Sequence, residues 1–144
     1  MTTIITLNQM KKLLIPLALI FTTSLHAQRL AFPTAEGAGK YTWGGRGGQV
    51  LVVNSLADDG SPGTLRWAVY QTGARTVIFD VSGDIVLNSE LRIRNDSITI
   101  AGQSAPGDGI TIRNHTVFNA ANQVIVRFMR FRPGDELGVE IDAF

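Results

Sequence analysis

The chain has 144 residues, a formal net charge of +1, 44% hydrophobic and 17% charged residues, and no cysteine. That balance supports a folded core rather than a disordered polymer. The absence of cysteine excludes disulfides, thiolate catalysis, zinc-finger sites and a lipid-modified cysteine within these residues.

The first segment reads as a leader. Met10-Lys11-Lys12 precedes the apolar run Leu13 to Leu25, which is followed by His26-Ala27-Gln28, so residues 1–27 have the layout of a secretory signal peptide starting at Met1 or at Met10. A run of 13 residues holding Pro16, Thr22, Thr23 and Ser24 is too short for a membrane span, which needs about 20 apolar residues. Cleavage after Ala27 leaves residues 28–144, with 11 of the 13 basic residues facing all 12 acidic ones. The mature chain lacks the basic footprint of a nucleic-acid binder, and it is expected outside the membrane, in an extracellular or periplasmic space.

Six glycines fall between Glu36 and Gly48. They suggest tight turns or close backbone approaches, and both nucleotide-binding patterns fail there, at Thr34 and at Thr42. Gln49 to Asn54 reads as a buried strand and Asp58 to Gly63 as a turn. Thr64 to Thr72 places Leu65, Ala68 and Val69 at helical spacing, with Ser61-Pro62 or Thr64 to start the helix and Gly73 to end it.

From Arg75 onward the helical period disappears. Strands are expected at Thr76 to Val81, Asp84 to Leu87, Leu91 to Arg94, Ser97 to Ala101, Gly109 to Ile112 and Val124 to Phe131. The gaps are too short for helical crossovers, so the chain forms either antiparallel hairpins or a coil of parallel strands. Segments beginning at Thr76, Ser97 and Gln123 resemble one another at steps of 21 and 26 residues. A repeat of that size favours a right-handed parallel β-helix with the one helix as its cap, while a β-sandwich would show turns at similar density.

Asp135, Glu136, Glu140 and Asp142 crowd into eight residues. Such a group is solvated, paired with Arg127, Arg130 or Arg132, or bridged by a cation, and an oxygen-only donor set favours calcium. Extended backbone would put Glu136, Glu140 and Asp142 on one face and Asp135 on the other. The same arginines alternate with Phe128, Met129 and Phe131, which suits either a surface for an anionic chain or a core strand with solvated arginines. Val124, Val126 and Phe128 would share its inner face.

Gly102-Gln103-Ser104-Ala105-Pro106 fails as a nucleophile elbow at Pro106, and His115 is the one histidine after the leader. Asn95-Asp96-Ser97 and Asn114-His115-Thr116 match the glycosylation sequon, which matters only in a eukaryotic secretory pathway.

The segments AFPTAEGAGKYTWGGRGGQVLVVNSLADDGSPGTLRWAV, TVIFDVSGDI, ITIAGQSAPGDGITI and IVRFMRFRPGD together resemble the N-terminal part of secreted pectate lyases of polysaccharide lyase family 1. The resemblance runs from Ala31 to Phe144. It implies an all-β, right-handed parallel β-helix with an N-terminal capping helix at Gly63 to Val69. It also implies cleavage of α-1,4-linked polygalacturonate by β-elimination, with calcium ions bridging acidic side chains to the substrate carboxylate and an unprotonated arginine as base. Asp142, in Asp-Ala-Phe, matches a calcium-binding aspartate of the family, whereas Asp135 and Glu140 have no clear counterpart. No residue of the chain matches the catalytic arginine, so residues 28–144 are expected to be the cap and first coils of an incomplete, monomeric lyase domain, inactive by itself. A β-helix hydrolase using paired aspartates, and a secreted β-helix that binds pectin or acts as an adhesin without turnover, remain the competing readings.

Overall fold

A computed structural model describes residues 29–135 together with Gly138, Asp142 and Phe144. The leader expected over residues 1–27, and the acids Glu136 and Glu140, lie outside the described residues. Among the described residues there are nine short strands and one α-helix, and every strand pair is parallel.

The strands are β1 (Gln49–Val53), β2 (Arg75–Phe79), β3 (Gly83–Val86), β4 (Leu91–Ile93), β5 (Ile98–Ala101), β6 (Ile110–Arg113), β7 (Val117–Asn119), β8 (Val124–Arg127) and β9 (Met129–Arg132). They stack as sheet A, β1-β2-β5-β8; sheet B, β3-β6-β9; and sheet C, β4-β7. Consecutive strands therefore visit A, B and C in turn and return to A one rung higher, which is a parallel β-helix. The hairpin alternative falls because no strand among the described residues is paired antiparallel. In sheet A the register joins Gln49, Arg75, Ile98 and Val124, giving coils of 26, 23 and 26 residues. Thr76 pairs with Thr99 rather than Ser97, so the sequence comparison was two residues out, an even slip that leaves inward and outward faces unchanged.

Alternating residues build the interior. Leu51, Val77, Ile100 and Val126 form one inward column across sheet A, and Ile85, Ile112 and Phe131 form another across sheet B. Val77, Ile85, Leu87, Leu91, Ile93, Ile98, Ile110 and Ile112 are buried, each aliphatic side chain contributing about 1.5–3 kcal/mol of transfer free energy.

Two expectations along the strands need correction. Val124 to Phe131 is not one strand: Phe128 has φ 55° and turns the chain from sheet A into sheet B. Val124 and Val126 do stack on the inward Ile98 and Ile100, but Phe128 leaves that face and is 66% exposed. A β-branched and aromatic pattern runs straight through this corner, so nothing local announces it. Val117–Asn119 was not expected at all, because three residues between polar turns carry too little alternation.

Helix α1 (Leu65–Tyr70) stands where the first coil would enter sheets B and C, and it contacts β1, β2 and β4. Its Leu65, Ala68 and Val69 are buried. Thr64 caps it, its Oγ1 accepting from the Trp67 N–H at 3.3 Å. The helix stops at Tyr70 because Gln71 is extended, two residues before Gly73 takes φ 80°.

Two buried arginines lock this cap. Arg75 is 1% exposed and donates to the carbonyls of Ala68, Val69, Gly73, Asn95 and Asp96 at 2.7–3.2 Å. A cation thus closes the C-terminal end of α1 and ties it to the next coil. Burial pushes its pKa down. Arg66 makes two hydrogen bonds to the Asp58 carboxylate at 2.7 and 2.8 Å and reaches Ser89 O and Glu90 O. That carboxylate is the main cause holding the Arg66 pKa above its usual value.

The glycine-rich segment crosses the outer face of sheet A. Gly45 N–H donates to Thr99 Oγ1 at 2.9 Å, and a Cβ on Gly45 would sit 1.8 Å from the Arg75 carbonyl oxygen. The close approach expected of these glycines is real.

Candidate functional site

The acidic segment leaves β9 through Pro133, whose carbonyl accepts from the Asn114 N–H at 2.9 Å, and Gly134, with φ 78°. Gly138 N–H then donates to the Asp135 carbonyl at 2.9 Å. The face expected for Glu136 and Glu140 lies outside the described residues.

Asp142 is held by the rung beneath it. Leu91 N–H donates to the Thr116 carbonyl at 3.0 Å, and Thr116 Oγ1 donates to the Asp142 carbonyl at 2.6 Å. Positions 91, 116 and 142 thus follow one another at the entry to sheet C. Thr116 to Asp142 is 26 residues, the same step as Leu91 to Val117. Phe144 packs on Phe131 with ring centroids 4.8 Å apart, which pins the segment on its far side. Asp135 and Asp142 are both exposed.

This end of the coil offers carboxylate oxygen without histidine or sulfur, a donor set suited to a hard cation. Among the described residues, however, no group of three or more His, Cys, Asp or Glu could hold a metal ion. Calcium takes 6–8 oxygens, so the described carboxylates do not complete a calcium shell.

Other candidates resolve into structural roles. Arg127 lies over the Phe32 ring at 4.1 Å and over Phe128 at 5.0 Å. Arg130 and Arg132 lie exposed on the outer face of β9. The three arginines therefore do not converge on Asp135 in an ion pair of 4.0 Å or less among the described residues. Ser104 Oγ donates to Ala101 O and accepts from the Phe79 N–H, both at 2.8 Å, within a 3-10 turn at Gly102–Ser104. It is a corner brace. Both sequon asparagines use their amide nitrogen on the fold, Asn95 toward Tyr70 O and Gln71 O, Asn114 toward Leu87 O.

Sequence reasoning passed over Asp58, Arg66 and Arg75. The available signal was Arg75 itself, a charge at the inward phase of Val77 and Phe79. Among the described residues no helix is long and apolar enough to cross a membrane.

No protein-family model matches the chain. It is 49% identical over 106 residues to a probable pectate lyase C of Emericella nidulans, covering 73% of this chain and 24% of that one. It is 46% identical over 115 residues to a probable pectate lyase C of Aspergillus flavus, covering 79% and 26%. A pectate lyase of Lilium longiflorum is 42% identical over 74 residues, covering 49% and 17%. The chain spans about a quarter of the length of the fungal relatives it matches. Such identity across most of the chain, on a coil of parallel strands, makes the chain similar to part of these pectate lyases.

Proposed function

We propose that this chain forms the cap and first coils of a secreted, calcium-dependent lyase that cleaves polygalacturonate by β-elimination, with Asp142 as one calcium ligand. The observation that carries the reading is the near-half identity to fungal pectate lyases across 73–79% of the chain. The leader-like residues 1–27 support export. Bound calcium would neutralise the substrate carboxylate and acidify the neighbouring C–H. The chain's own part is to set the height of Asp142: the Thr116 bond and the Phe131 contact hold its backbone at the entry to sheet C. On this reading the 144 residues supply a scaffold and one ligand, work as a monomer, and do not turn over substrate unaided.

A chimera joining residues 28–144 to the remaining three-quarters of the Emericella nidulans relative tests the assignment. Calcium-dependent release of unsaturated uronides from polygalacturonate is expected. Saturated reducing ends would instead identify a hydrolase, and binding without product a carbohydrate-binding or adhesive coil.

A further inference from the structure

Sheet B carries charge on its outer face that neither the core nor the Asp142 end uses. Its outward positions form two rows across β3, β6 and β9: Asp84, Thr111 and Arg130, then Val86, Arg113 and Arg132. Arg113 pairs with Asp84 at 3.3 Å. Arg130 Nε donates to Thr111 Oγ1 at 3.0 Å, which props its guanidinium against the sheet. Arg130 and Arg132 are exposed, and neither is in an ion pair within 4.0 Å among the described residues. At the corner ahead of them stands Phe128, 66% exposed.

Alternate residues on a strand lie about 6.6 Å apart on one face. Arg130 and Arg132 therefore present two forks, each shaped for a carboxylate, at a separation of the size of one pyranose ring. Phe128, exposed at the corner before β9 with Arg127 5.0 Å from its ring centroid, offers apolar surface to the C–H face of a sugar. The strip sits on a stacked sheet, so its geometry is fixed before anything binds.

We propose that the outer face of sheet B is a second binding strip for an acidic polysaccharide, separate from the Asp142 end. Arg130 and Arg132 take uronate carboxylates and Phe128 takes the face of a sugar ring. The sugar chemistry rests on the substrate class proposed above; the anion binding does not.

Affinity electrophoresis of the protein through gels containing polygalacturonate tests the strip without requiring turnover. The R130Q/R132Q variant is expected to bind about fivefold more weakly, the loss of two exposed charge pairs, with an unchanged circular dichroism spectrum. Phe128→Ala should weaken binding further, and Arg94→Gln, on another face, should not. Retardation of the double variant equal to the parent overturns the strip. Retardation by polyglutamate but not by polygalacturonate overturns the sugar chemistry, and retardation of the parent chain together with a chimera that releases no uronide sinks only the lyase reading.

Discussion

Removing the guanidinium of Arg75 would leave five backbone carbonyls without its donation, those of Ala68 and Val69 at the end of α1 in buried bonds. Each buried unsatisfied acceptor costs about 1–3 kcal/mol, so Arg75→Met should destabilise by about 3 kcal/mol or more, read as a lower urea midpoint. Methionine fills similar volume, so the loss reports hydrogen bonding rather than a cavity. Asp59 makes a smaller, pH-dependent contribution. Its carboxylate accepts from Ser61 Oγ at 2.6 Å and Ser61 N–H at 2.9 Å, and these bonds hold its pKa below the usual 3.8. A depressed carboxylate adds stability above its unfolded value, and that stability is lost as pH falls through the folded one. Thermal melts should therefore separate the parent from Asp59→Asn above about pH 4 and converge in stronger acid.

At the scale of elements, the corners decide the fold. Ser97, Asn114, Gln123 and Phe128 all have positive φ without being glycine, and each stands at a passage from one sheet to the next. A left-handed L-residue costs about 1–2 kcal/mol unless it is Asn or Asp. Phe128→Asn should therefore raise the melting temperature, the equivalent of about 1 kcal/mol, since little burial is lost at so exposed a residue. Most of the strands, the helix and the Thr64 cap were legible because period 2 and period 3.6 are written in apolar residues; Val117–Asn119 was too short to show either. The Phe128 corner was not, because a bulky aromatic is the wrong residue to advertise a left-handed turn. Parallel pairing was legible only through the steps of 21 and 26 residues between similar segments, because hairpins and coils share strand lengths and turn density. The cap's arginines were missed because their partners are backbone carbonyls, and a carbonyl leaves no trace in a sequence.

For the whole molecule, stacking makes burial a function of position along the coil. Ile98, Ile100, Ile110 and Ile112 in the third coil are buried, whereas Val124, Val126, Met129 and Phe131 above them are only half-buried. Ile100→Ala should thus cost about 3 kcal/mol and Val126→Ala about 1 kcal/mol, measured by chemical denaturation. Of the candidate site, the motif around Asp142 was legible but its support was not: Thr116, whose hydroxyl holds the Asp142 carbonyl, lies 26 residues away. Under the proposed function this coil sets Asp142 as a calcium ligand of a pectate lyase. The direct measurement is the calcium dependence of unsaturated uronide release by the chimera with the Emericella nidulans coils, with and without Asp142→Asn. The account predicts at least a roughly tenfold higher calcium requirement for the variant; an unchanged calcium dependence at full activity would contradict it.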